Sequence, residues 1–152
     1  MTPRAVGALA LHIILGLLAA CNRDVPVSAT TDLSPAGYRV TVTRVATHPF
    51  LARFNLKLAV NTAMNCSVVS DLFPDTGGVS RRNLYLGDGG VLFIVGQFDV
   101  RRFDPSACRV ELIEFQFLHS GMLFLGSFDV DGMGQWTFLS PAVRAERPFE
   151  KQ

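Results

Sequence analysis

The sequence predicts an all-β protein, an antiparallel β-sandwich or small β-barrel of about seven to eight strands after a cleaved signal peptide. Three observations predict it. Apolar and polar residues alternate with period two in successive short runs. Gly, Pro, Asp and Asn punctuate those runs every 8–12 residues or so. No helical periodicity of useful length appears beyond the first 20 residues of the 152.

The elements follow in order. Tyr38, Val40 and Val42 alternate with Arg39, Thr41 and Thr43, giving a first strand that His48-Pro49 ends. Phe54, Leu56, Leu58 and Val60 alternate with Arg53, Asn55 and Lys57, a strand with one wet face. Asn61-Thr62 turns into a short strand from Cys66 to Val69. Phe73-Pro74-Asp75-Thr76-Gly77-Gly78 reads as a loop. Asn83–Leu86 and Val91–Val95 flank Gly87-Asp88-Gly89-Gly90, which predicts a hairpin. Gly96 reads as a bulge, with Phe98 and Val100 continuing that strand. Arg101 to Ser106 reads as a turn. A strand then starts at Cys108, and Phe115 and Phe117 change its parity. Met122–Val130 and Gln135–Leu139 complete the set, with Asp131-Gly132-Met133-Gly134 turning between them.

The first 20 residues are of another kind. Arg4 precedes an apolar run from Ala5 to Leu18, which is short for a bilayer span and has the layout of a secretory signal. Its last residues with the next one, Leu18-Ala19-Ala20-Cys21, resemble the bacterial lipobox. The resemblance implies cleavage before Cys21, a diacylglyceryl group on its sulfur and acylation of the new amine. Asn22 stands where Asp tends to retain such proteins at the inner membrane. The resemblance therefore implies the periplasmic face of the outer membrane in a host with two membranes. The expected organisation is a signal peptide over 1–20, a lipidated flexible tether over 21–36, a β domain over 37–141 and a loose polar tail over 142–152.

Composition narrows the partners. The chain has 14 Lys+Arg and 13 Asp+Glu, and removal of Arg4 with the signal leaves them equal. Nucleic acid is not indicated, nor is a polybasic membrane patch. The expected partners are the membrane, through the N-terminal lipid, and an envelope protein. Two or more acyl chains anchor stably where one does not. With Cys21 assigned to lipid, Cys66 and Cys108 remain, and an exported chain with one such pair suggests a disulfide; two buried free thiols are the alternative. Zinc is not expected, because its structural sites want four Cys or His ligands.

Few constellations carry chemistry. Asp129-Val130-Asp131-Gly132 starts like a calcium loop, but its twelfth position is Ser140 rather than Glu, so a hairpin turn is expected instead. Asp99 and Asp104 add carboxylates with no assigned partner. His119-Ser120 lacks a nucleophile elbow and reads as part of a turn; His48 reads as a turn histidine. No metal or cofactor is expected. Arg81-Arg82 and Arg101-Arg102 are arginine pairs. A cationic face for phosphate or carboxylate forms only if Arg82 converges with Arg101 or Arg102; solvated strand ends are the alternative. The 12 Phe against 2 Tyr and 1 Trp suit a dry core, or an apolar cavity in a closed barrel. Leu92–Val100 and Leu123–Val130 echo each other, each with a glycine before Phe-Asp-Val, as shared strand chemistry or a duplicated binding element. Ser120-Gly121-Met122-Leu123-Phe124 resembles the Ser-Gly-x-x-Tyr motif of periplasmic lysozyme inhibitors, with Phe124 in place of the tyrosine. The expected function is a non-catalytic interaction or structural role at the envelope. Carriage of a small apolar ligand is the rival, and inhibition or hydrolysis in the envelope the more distant one.

Overall fold

The computed structural model describes residues 25–114 and 121–149. Ten strands form two antiparallel sheets that face each other as a sandwich and do not close into a barrel. The first sheet runs β1 (Val27–Leu33), β2 (Tyr38–Ala46), β3 (Phe54–Thr62) and β4 (Ser67–Asp75) in that spatial order. The second contains β5 (Arg82–Leu86), β6 (Leu92–Val95), β7 (Val100–Asp104), β8 (Arg109–Ile113), β9 (Leu123–Val130) and β10 (Trp136–Leu139). Its spatial order is β10-β9-β5-β6-β7-β8.

Period two explains the core. Val40, Val42, Leu56, Leu58 and Val60 point inward from the first sheet and are buried. They meet Leu84, Leu92, Ile94, Phe103, Phe128 and Trp136 from the second. Each such side chain contributes roughly 1.5–3 kcal/mol by leaving water. The Trp136 indole N–H donates to the Val42 carbonyl at 2.9 Å, so the one tryptophan enters the core with its polar group satisfied.

The registers give the sandwich two distinct ends. The loops 47–53, 76–81, 96–99 and 131–135 lie at one, together with the start of β1, since Val27 pairs with Arg44 and Ala46 with Phe54. This is termed the loop end. The turns between β1 and β2, β3 and β4, β5 and β6, and β7 and β8 lie at the other. There Cys66 and Cys108, each just ahead of an edge strand, sit in disulfide geometry with Cα atoms 5.8 Å apart. Tyr38 adds a hydrogen bond to the Gly90 carbonyl at 2.6 Å between the sheets.

Four expectations are corrected. Residues 27–33 of the expected tether form β1, which hides only the small Ala29 well, so the alternation is weak in sequence. Gly96–Asp99 is a tight turn, closed by the Gly96 N–H on the Asp99 carbonyl at 2.8 Å, and Arg101–Asp104 returns as β7. Phe73-Pro74-Asp75 belongs to β4; proline is tolerated because β4 is an edge strand and Phe73 and Pro74 bulge opposite Asn55. The tail is docked rather than loose. Asn83 donates to the Arg147 carbonyl at 2.9 Å, Arg144 pairs with Asp129, and Phe149 packs near Phe93, Val95 and Val100 on the outer face of the second sheet. Phe115, Phe117, His119, Ser120 and the whole segment from Met1 to Asp24, with Cys21 and Asn22, lie outside the described residues.

Candidate functional site

The polar residues with the most unusual setting lie beneath the loop end. Arg82 is the first residue of β5 and points inward, sharing parity with Leu84. Its Nη2 stands 3.6 Å from Asp99 Oδ1, and both side chains are almost wholly buried. Asp99 Oδ2 also faces Arg101 Nε at 3.3 Å. The bulge in β4 withdraws the Phe73 peptide groups from the strand ladder. Arg82 Nη2 donates to the Phe73 carbonyl at 2.6 Å, and the Phe73 N–H donates to Asp99 Oδ2 at 3.0 Å. The ion pair thus takes up both backbone groups and docks the edge of one sheet on the other.

Arg82 Nη1 is used locally, whereas Arg82 Nε and Asp99 Oδ1 are buried with no hydrogen-bond partner among the described residues. Nη1 donates to the Arg81 carbonyl at 2.9 Å and approaches those of Ser80 and Val79 at 3.3 and 3.5 Å. Burial pulls the Arg82 pKa below its ordinary value, opposed by Asp99 and then Asp75. Gly96 makes the approach possible: a Cβ there would lie 2.7 Å from both Arg82 Cζ and Asp99 Oδ1. Asp75 caps the next loop, accepting from the N–H groups of Gly77 and Gly78 at 2.9 and 2.7 Å and from the Ser80 hydroxyl. Arg44 completes the layer. Its guanidinium lies 4.7 Å from the Phe54 ring centre and 4.9 Å from that of Trp136, and burial lowers its pKa.

The arginine pairs therefore divide. Arg82 and Arg101 converge, but around Asp99 rather than as an open cationic face. Arg102 takes the opposite face of β7, 3.5 Å from Asp104 and 3.8 Å from Glu111. Asp104 lies at the far end of that strand from Asp99 and accepts from Ser106 at 2.6 Å. The sequence singles out Asp99 only as a carboxylate without an assigned partner, and gives no mark to Arg44. The glycine-aspartate spacing of the Gly96–Asp99 turn is the one signal that marks Asp99.

The remaining candidates take structural positions. Asp131 Oδ1 accepts from the Met133 and Gln135 N–H groups at 2.8 and 2.9 Å, capping its own hairpin. His48 Nδ1 accepts from the Phe50 and Leu51 N–H groups at 3.1 and 3.0 Å, shaping the 47–53 loop. The two echoing segments part company: Gly96 to Val100 makes a turn with Phe98 exposed, whereas Gly126 to Val130 is strand with Phe128 fully buried. Leu123 opens β9 at the end opposite the loops. An open groove of about 580 Å³ on the first sheet is lined by Pro26, Thr43, Val45, Asn55, Lys57 and Asp71 among others. Among the described residues no three His, Cys, Asp or Glu gather closely enough to hold a metal, and no helix is long and apolar enough to cross a membrane.

Comparison with protein-family models, with curated proteins and with solved structures finds no match to this chain.

Proposed function

We propose that this chain is a lipid-anchored protein of the bacterial envelope whose sandwich domain has a non-catalytic, interaction or structural role. The observation that carries the reading is Leu18-Ala19-Ala20-Cys21, followed after only five intervening residues by the first strand at Val27. A signal segment, a lipidation cysteine and a short leader into a rigid domain form one continuous plan. The Cys66–Cys108 pair supports it, since such a bond persists in an oxidising compartment. The buried charges support it too: Arg82, Asp99 and Asp75 are occupied in holding backbone groups, which is the work of a scaffold.

Metabolic labelling with palmitate tests the reading. The wild-type protein takes up label, loses residues 1–20 and sediments with membranes. Cys21→Ala takes up none. Persistence of the label in Cys21→Ala overturns the lipid assignment. Crosslinking in envelope fractions then tests the role, with a reproducible envelope-protein adduct expected; absence of any adduct counts against an interaction module.

A further inference from the structure

We infer that the loop end is a membrane-contacting surface, whose apolar tips enter the interfacial layer of the same bilayer that holds the lipid on Cys21. The inference rests on the lipoprotein reading and adds the orientation of the domain and a second contact.

Three observations lead to it. The first is the placement of exposed apolar residues. Phe50, Leu51, Phe73, Val79, Phe98 and Met133 are exposed and all belong to the loop end or its adjoining strand ends. Met133 is 79% and Phe98 49% exposed. At the opposite end and its adjoining strand ends, Met64, Val69 and Leu123 are exposed, half as many and without an aromatic ring among them. Clustered exposure of this kind marks a contact surface.

The second is where the chain enters the fold. Only four peptide links separate Cys21 from Val25, which spans at most roughly 14 Å when fully extended. A nine-residue strand such as β3 is about 30 Å long. The leader is therefore shorter than the domain, and it joins at the loop end, where Val27 pairs with Arg44. An acylated Cys21 holds that end, and not the disulfide end, against the bilayer.

The third is charge. The four loops contain Arg53, Arg81, Asp99 and Asp131. Arg81 and Asp99 are buried, and Asp131 is turned onto its own hairpin. Arg53 is the charge left exposed within these four loops, with Glu114 exposed beside them at the end of β8, so the end carries few charges and no net negative excess that would repel anionic headgroups. The tips are also held in shape before contact, by His48 in one loop and by the Gly96–Asp99 bond in another, so little ordering is needed on insertion.

The test uses the full-length protein, purified in its acylated form and reconstituted into phosphatidylcholine–phosphatidylglycerol vesicles with brominated acyl chains. Intact mass first reports whether Cys21 carries lipid. Phe98→Trp and Met133→Trp place a fluorophore at the tips, Met64→Trp places one at the opposite end, and Trp136 supplies a buried background. The two tip variants are expected to lose roughly half of their added emission, as for rings about 5–10 Å into the headgroup–acyl boundary, while Met64→Trp loses almost none. Should one tip variant fail to fold, the other carries the test. Acylated protein quenched no more at the tips than at Met64→Trp overturns the inference and leaves the anchor standing, and points to a protein as the occupant of this surface. A mass without acyl groups overturns both.

Discussion

Arg82 and Asp99 lie 3.6 Å apart beneath the loop end and between them hold the carbonyl and the N–H of a third residue, Phe73. The pair thereby converts the β4 bulge, a defect in one sheet, into a joint between two. The opposite end of the sandwich is joined by Cys66 and Cys108. One end is held by a covalent bond and the other by charge.

Removing one partner leaves the other charged, buried and unpaired, which costs about 3–5 kcal/mol. Asp99→Ala is therefore expected to lower unfolding stability by about that amount in urea denaturation. The double variant Arg82→Met/Asp99→Leu is expected to recover part of the loss, because it removes both buried charges together, although the Phe73 peptide groups, the Arg81 carbonyl and Arg101 lose partners. A double variant as unstable as the sum of its singles sinks the idea that the pair acts as a unit.

The disulfide joint has its own expected signature. The two cysteines are 42 residues apart, and closing such a loop is worth about 4 kcal/mol in the chain-entropy model. Cys66→Ser/Cys108→Ser should lose stability on that order while keeping its far-ultraviolet β spectrum. Alkylation of the native protein without reductant should leave Cys66 and Cys108 unmodified, and reduction should add two labels. Labelling before reduction refutes the bond.

Much of this fold is legible in the sequence, for a physical reason. Strands such as β3 bury one face, and burial writes period two into Phe54, Leu56, Leu58 and Val60. β1 is nearly silent because two of its inward residues, Ala29 and Thr31, are small or polar, and only Leu33 at its end adds a large apolar side chain to the core. β7 is misread because Arg101 is inward yet charged, so Arg101 to Asp104 looks like a surface turn. The candidate site is less legible still. Arg82 and Arg101 converge as the sequence allowed, but what they meet is Asp99, and that contact depends on the bulge at Phe73 and Pro74 more than 20 residues away. A phenylalanine-rich composition suits a core, yet Phe50, Phe73 and Phe98 are exposed. Composition does not record which end of a sandwich a phenylalanine occupies.

Gly126 provides a local test of packing. It lies inside β9 with φ +133°, and an added Cβ would stand 2.5 Å from the Leu139 carbonyl oxygen. That atom belongs to the neighbouring strand and cannot step aside as a side chain would. Gly126→Ala is expected to cost about 2–3 kcal/mol, from strain at the positive φ and from the clash. Gly132 is the control, since a Cβ there meets nothing within 4 Å, and Gly132→Ala should change stability by less than about 0.5 kcal/mol. Equal melting temperatures for the two variants would contradict the packing around β9 and β10.

Tyr85 connects the docked tail to pH. Its hydroxyl donates to Glu146 at 2.9 Å and accepts from Asn83 at 3.1 Å. Burial, the largest cause, and then the bond to Glu146 push its pKa from 10.0 up to about 12, against an opposing contribution from Asn83. The folded state thus favours the neutral phenol, and the unfolded chain releases the proton first. Stability from this source is complete below pH 10 and is lost as pH rises towards 12. Urea midpoints measured across that window should fall more steeply for the wild type than for Tyr85→Phe, which has no proton to release. Tyr38 is raised as well, chiefly by burial, so Tyr85→Phe should retain a residual slope rather than none. Identical slopes for the two proteins would mean that the phenol is not buried by the tail. Loss of the tail contact through Glu146→Gln keeps the burial but removes the negative charge, and should draw the phenolate transition of Tyr85 back towards lower pH.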